Sequence, residues 1–188
     1  MKEIVFAGFG GQGVLTSGLI VSELAVKKDW RVSWMPSYGS AMRGGTANCT
    51  VKYCTDTIYN PSQEEPDVLL AMNTPSFNKF IDIMAPNGTC IINSDMVTYD
   101  PSRRPDVKFI EVPCFSMAKE LNHPKGANII MTGVIVKVLG DFQDQEAIDG
   151  MNQMFEKKGK GKFAEMNTKA MKIGLNFLTE ETTVEQAV

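Results

Sequence analysis

Two glycine-rich stretches hold the residues whose types and spacing best suit chemistry. Gly8-Phe9-Gly10-Gly11-Gln12-Gly13 follows the apolar run Ile4-Val5-Phe6-Ala7. It precedes Val14, Leu15, Gly18, Leu19, Val21, Ser22 and Ala25, which recur at helical spacing. A glycine turn between a buried strand and a helix presents backbone N–H groups at the helix's positive end and lets an anion approach the chain closely. Two readings stay open at this point. Gly8, Gly10, Gly11, Gln12 and Gly13 hold a phosphate-type group, or they only permit a tight strand-to-helix turn. An intact nicotinamide dinucleotide is disfavoured, because the second strand ends Trp34-Met35-Pro36-Ser37 with no acid to hold ribose hydroxyls.

The second stretch is Pro36-Ser37-Tyr38-Gly39-Ser40-Ala41-Met42-Arg43-Gly44-Gly45. It follows the second strand, and in a doubly wound sheet the turns after the first and second strands flank one crevice. There Ser37, Tyr38, Arg43 and the backbone amides of Gly44 and Gly45 could contact an anionic or carbonyl-bearing group. The alternative is a loop shaped for subunit contact, with Arg43 paired to a partner's carboxylate.

The remaining candidates point away from independent catalysis. The single histidine, His123, stands in Asn122-His123-Pro124, where it reads as a capping or surface residue of a helix end. Cys49, Cys54, Cys90 and Cys114 include no Cys-x-x-Cys pair, so they read as reduced thiols rather than ligands of a cluster or a structural zinc. Asp67 and Asp95 read as turn residues, and no paired carboxylates, Gly-x-Ser-x-Gly elbow or Walker pattern occurs. A chain of this kind binds a ligand without reacting with it, or completes another chain's active site.

The elements that must position these residues follow from periodicity. Ile4–Ala7 predicts a strand buried on both faces, Val14–Lys28 a helix, and Arg31–Met35 a strand stopped by Pro36, together a βαβ unit. Thr46–Tyr53 predicts a strand, with Cys54–Thr57 turning it back toward Ile58 and Tyr59 as an antiparallel edge hairpin. Val68–Met72, Thr89–Asn93 and Val107–Val112 predict further strands, with a helix over Ser76–Met84 and a linker over Pro101–Pro105. The last third reads as helical from about residue 128. Asn128–Phe142 is apolar nearly all round, Gln145–Lys157 follows, and Phe163, Met166, Ala170, Ile173 and Phe177 form a stripe after the lysine-rich 157–162 hinge. Glu180–Val188 reads as a frayed end.

Composition agrees with this picture. The chain has 188 residues, 43% of them hydrophobic and 22% charged, which fits one α/β domain over 1–188 that buries roughly 70% of its unfolded surface. The net charge of -3 gives no general attraction to nucleic acid. The longest apolar run, Ile129–Leu139, is interrupted by Thr132, Gly133 and Lys137 and falls short of the roughly 20 residues of a membrane span. With no signal peptide before the first strand, the expected location is the cytoplasm. The 12 methionines suit core or subunit interface, and the apolar last third is expected to face another chain.

The two motifs together resemble the gamma subunit of the 2-oxoacid:ferredoxin oxidoreductases. The resemblance rests on Gly8-Phe9-Gly10-Gly11-Gln12-Gly13-Val14 taken with Pro36-Ser37-Tyr38-Gly39 and Arg43-Gly44-Gly45-Thr46-Ala47-Asn48-Cys49. The Asp67-Val68 strand entry, the Asn73-x-Pro75 turn and the Asn128 helix add to it. The wording from Met42 to Cys49 is most similar to 2-oxoglutarate and branched-chain 2-oxoacid members. The resemblance implies a Rossmann-like, mostly parallel doubly wound sheet in an enzyme of alpha, beta, gamma and usually delta chains. Such an enzyme decarboxylates a 2-oxoacid on thiamine diphosphate with Mg2+, sends electrons through [4Fe–4S] clusters to ferredoxin, and transfers the acyl group to coenzyme A. It implies that those cofactors belong to partner chains, and that this chain gives structural support with a share in coenzyme A binding. The beta subunit of indolepyruvate:ferredoxin oxidoreductase begins similarly. An independent nucleotide-binding oxidoreductase is the rival from another class.

Overall fold

The computed structural model describes residues 1–39 and 44–185, with side chains described as far as Thr179. Strand β1 (Lys2–Phe9) runs through the glycine turn into helix α1 (Val14–Lys27), and β2 (Arg31–Tyr38) follows. Strand β3 (Thr46–Cys54) comes next, then β4 (Val68–Ala71), α2 (Thr74–Phe80), β5 (Thr89–Asn93) and β6 (Lys108–Val112). Helices α3 (Cys114–Glu120), α4 (Ala127–Leu139), α5 (Asp144–Lys157) and α6 (Ala164–Glu185) complete the chain. The six strands form one sheet in the order β2-β3-β1-β4-β5-β6.

Strands β1, β4, β5 and β6 are mutually parallel, and β3 runs antiparallel to both its neighbours, β1 and β2. The mostly parallel, doubly wound α/β fold is therefore present, with an antiparallel hairpin at one edge. The hairpin is β2–β3, not β3 with Ile58 and Tyr59. Both edges of β3 are already paired, so no edge is left for that segment, and Tyr59 is exposed. The crossover through α1 likewise spans two positions, because β3 is inserted between β1 and β2.

Pro36 does not stop β2. It sits inside the strand opposite Cys49, and the strand continues through Ser37 and Tyr38. Proline lacks a ladder donor and is tolerated on an edge strand, where its nitrogen can face away from the sheet. The edge position of β2 explains why the apparent stop signal was overridden.

Two apolar layers cover the sheet. One face of β1 and β3 (Ile4, Phe6, Cys49, Val51) packs with Val14, Ile20, Val21 and Leu24 of α1 and with α3 and α4. The other face (Val5, Ala7, Leu69, Ala71) packs under Phe77 and Phe80 of α2 and the short helical turn Ile81–Ile83. The predicted helix over Ser76–Met84 is thus an α-helix that ends at Phe80 and tightens. On that second face Lys52 is fully buried and ion-paired to Glu3 and Glu64, which ties the 55–66 connection to β1.

The apolar α4 is covered by this chain rather than left for a partner. Gly174 of α6 lies so close that a Cβ there would stand 1.9 Å from the Ile130 carbonyl oxygen, and one on Gly133 would stand 2.6 Å from the Met171 carbonyl. This close crossing turns the buried face of α6 onto Asn167, Ala170, Met171, Gly174 and Leu175, offset from the stripe read in the sequence. Met131, Met151, Met154 and Met171 are core residues. Helix α6 also extends through residues 180–185, beyond the expected start of fraying. Among the described residues no helix is long and apolar enough to cross a membrane.

Candidate functional site

The site is built where β1 turns into α1. Gly13 takes the left-handed conformation (φ 76°), and a Cβ there would meet the Asn128 side chain at 2.5 Å. Gly8 has no room for a side chain between Gln12 and Val14, with contacts of 2.8 and 2.9 Å awaiting a Cβ. These glycines are required by packing and backbone conformation, whatever they bind. The turn is then braced by three amide side chains. Gln12 Oε1 accepts from Phe9 N (2.7 Å) and from Asn73 Nδ2 (2.9 Å), and Asn73 Oδ1 caps α2 by accepting from Ser76 N (3.0 Å). On the other side Asn128 Nδ2 donates to the Gly13 carbonyl (3.3 Å), and Ser17 Oγ donates to the Asn128 carbonyl (3.2 Å).

Helices α1 and α2 leave their strands toward opposite faces, so the switch in winding falls between β1 and β4. In this chain the Gln12–Asn73 bridge occupies that crevice. The open space lies on the other side of the turn. A cleft of about 490 Å³ is lined by Phe9, Gly10, Gly11, Gly13, Val14, Leu15, Trp34, Tyr38 and Ala47.

The two sequence motifs meet at its rim. Gly10 N donates to the Gly45 carbonyl at 2.8 Å, and Gly44 N donates to the Gly10 carbonyl at 3.3 Å. Gly10 is thereby committed to joining the motifs. The N–H groups of Gly11, Gly13, Val14 and Leu15 have no partner among the described residues, the last two because a helix's first turn lacks acceptors. Those donors, at the positive end of a 14-residue helix, are what the cleft offers an anion.

The sequence-derived candidates separate accordingly. Gly10, Gly11, Gly13 and Tyr38 line the cleft, and Gly44 and Gly45 close its rim. Gly8 and Gln12 lie beneath, in the bracing network. Ser37 is in register with Asn48, so it stands on the opposite face of the sheet from Tyr38. Arg43 lies outside the described residues. Trp34, Leu15, Phe9, Ala47, Asn73 and Asn128 were missing from the candidates. Reading β2 as unbroken would have supplied Trp34, since Trp34, Pro36 and Tyr38 share one face.

Trp34 Nε1 is buried with no acceptor among the described residues and lies against the sulfur of Cys49, beside Gly18. Burial pushes the Cys49 thiol up to about 12, with the Trp34 indole pulling weakly the other way. Burial also raises Cys90 and Cys114. These thiols are inert at neutral pH, and none of the four cysteines is bonded to another. His123 is neither a side-chain cap nor a surface residue: its ring is half-buried against Gly126, with Nε2 3.0 Å from Oδ1 of the buried Asn167, and so joins the 123–126 turn to α6. Asp95 accepts from Phe115 N, Ser116 N and Ser116 Oγ at the start of α3, and Asp67 accepts from Glu3 N, so the two carboxylates do more than shape local turns: one anchors α3 and the other ties the entry of β4 to β1. Among the described residues no three of His, Cys, Asp or Glu come together to hold a metal.

A family model for pyruvate ferredoxin/flavodoxin oxidoreductase matches residues 3–177. The chain belongs to this family. The ketoisovalerate oxidoreductase subunit VorA of Methanothermobacter marburgensis is 34% identical over 176 residues, 93% of this chain. The chain spans only 36% of that relative's length. The gamma subunit of a keto/oxoacid ferredoxin oxidoreductase from Geobacter sulfurreducens superposes with a TM-score of 0.77 at 26% identity, over 93% of this chain and 96% of that one. A 2-oxoglutarate:ferredoxin oxidoreductase from Magnetococcus marinus, solved with 2-oxoglutarate, coenzyme A and succinyl-CoA bound, superposes with a TM-score of 0.79 at 21% identity. That match covers 92% of this chain and 30% of the other. Within the family, then, this fold occurs both as a separate gamma chain and as about a third of a longer one.

Proposed function

We propose that this chain is the gamma subunit of a cytoplasmic 2-oxoacid:ferredoxin oxidoreductase. It acts as one domain that supports alpha, beta and delta partners and helps to bind coenzyme A. The favoured substrates are branched-chain 2-oxoacids, such as 2-oxoisovalerate, and 2-oxoglutarate. The relatives support this choice: the VorA relative is named for ketoisovalerate, and the Magnetococcus marinus enzyme was solved with 2-oxoglutarate and coenzyme A.

The observation that carries the coenzyme A part is the cleft itself. Four residues of its lining, Gly11, Gly13, Val14 and Leu15, carry N–H groups with no partner among the described residues at the positive end of α1, and about 490 Å³ of space lies beside them. Coenzyme A carries a pyrophosphate, which such donors bind without a counter-charged side chain. In the assembled enzyme thiamine diphosphate, with Mg2+, supplies decarboxylation and [4Fe–4S] clusters carry the electrons, and we assign both to the partner chains. This chain's residues bind and orient. Gln12, Asn73 and Asn128 fix the turn so that its donors are preorganised, and the Gly10–Gly44/Gly45 bonds hold the second motif at the mouth.

Coexpression with thiamine-binding and cluster-bearing partners tests the reading. The chain should copurify with them in a fixed ratio and be required for full 2-oxoacid oxidation coupled to coenzyme A. Alone it should oxidise no 2-oxoacid. Micromolar binding of NAD(P)H by the isolated chain would instead favour the independent oxidoreductase.

A further inference from the structure

Strand alternation sets Trp34, Pro36 and Tyr38 on the α1 side of β2, in register with Val51, Cys49 and Ala47. Trp34 and Tyr38 line the cleft together with Gly10, Gly11 and Leu15. The indole nitrogen of Trp34 lies beside Cys49 and Gly18, while Tyr38 is 61% exposed and stacks on no other ring among the described residues. Two aromatic side chains therefore contribute to the lining. Among the described residues the lining contains no charged side chain, and Tyr38 brings a hydroxyl to it.

These properties discriminate between the two halves of coenzyme A. The pantetheine arm carries neither a phosphate for the Gly11, Gly13, Val14 and Leu15 N–H groups nor a ring for the two aromatic side chains. A purine base instead offers a flat π-face for stacking, and its polar edge can stay in water at the open mouth. We propose that the Trp34–Tyr38 wall seats the purine base of the nucleotide half, with the pantetheine arm running outward past the rim. This rests on the coenzyme A reading above and gives it a direction.

The test uses the full chain carrying Trp30→Phe. The sequence has two tryptophans, and Trp30 stacks on Tyr53 in a separate cluster, so Trp34 becomes the only indole reporter. The chain is titrated with adenosine 3′,5′-bisphosphate, with pantetheine and with coenzyme A, and binding is followed by Trp34 fluorescence and by calorimetry. The bisphosphate and coenzyme A should both quench Trp34, and pantetheine should not. Tyr38→Ala should weaken bisphosphate binding roughly tenfold, and Tyr38→Phe should preserve it. Quenching by pantetheine but not by the bisphosphate would overturn the placement of the base and leave the coenzyme A reading standing. So would bisphosphate binding that Tyr38→Ala leaves unchanged. If coenzyme A itself gives neither quench nor heat, the coenzyme A reading fails.

Discussion

Gly13→Ala is the perturbation whose outcome follows most directly from the geometry. Gly13 is held at φ 76°, and a Cβ there would overlap Asn128 Cγ at 2.5 Å and Nδ2 at 2.7 Å. A non-glycine residue in this conformation costs about 1–2 kcal/mol. Asn128 must also swing away, which breaks its 3.3 Å bond to the Gly13 carbonyl and costs about 1 kcal/mol more. The sum, about 2–3 kcal/mol, lowers Tm by roughly 5–10 °C for a chain of this size. The two contributions separate in a double-mutant cycle. In an Asn128→Gly background, which also removes the Cβ that would stand 2.9 Å away, Gly13→Ala meets no atom of the Asn128 side chain and breaks no bond, so its cost falls to the backbone share and the coupling is about 1 kcal/mol. Thermal and denaturant unfolding of the four proteins measures this. A Gly13→Ala loss under about 2 °C, or an equal cost with and without Asn128, would refute the account of the turn.

Three further outcomes are expected. Gly174→Ala places a methyl group 1.9 Å from the Ile130 carbonyl, against backbone rather than a flexible side chain. It should cost about 3 kcal/mol by forcing α4 and α6 apart, seen as a lower urea midpoint with an unchanged slope. Asp106 is bridged to the Arg104 guanidinium, which holds its carboxyl down at about 2. Its stabilising share is therefore complete above the ordinary carboxylate range near pH 4 and is lost as pH falls toward 2; an NMR titration with a midpoint near 4 would contradict this. Arg43→Ala should lower the activity of the assembled enzyme while leaving the Tm of the isolated chain within about 2 °C, and a large Tm loss would make Arg43 a structural residue instead.

Much of the fold could be read locally. The β1–turn–α1 unit, the three later parallel strands and the helical last third are all written in short-range periodicity. What escaped was set by distant partners. No local signal places β3 between β1 and β2, because that choice depends on which edge of β1 remains open once β4 has paired. Pro36 reads as a terminator until β2 is known to be an edge strand. The same gap hid half of the site. Tyr38 was found through its motif, but Trp34 belongs to the cleft only if the strand alternates unbroken across Pro36. Asn73 and Asn128 reach the glycine turn from 60 and 115 residues downstream of Gly13, so no spacing rule could connect them to it. The apolar last third pointed outward for a related reason. Its composition demanded cover, and only the Gly133–Gly174 approach reveals that α6 provides it.

The central claim is that this chain completes a 2-oxoacid oxidoreductase whose cofactors reside in its partners. The most direct measurement is coenzyme A-dependent reduction of a ferredoxin or viologen acceptor by those partners, purified with and without this chain, on 2-oxoisovalerate and 2-oxoglutarate. Full turnover should occur only when the chain is present, with a Michaelis constant for coenzyme A that rises in Tyr38→Ala. Equal turnover with the chain omitted would contradict it.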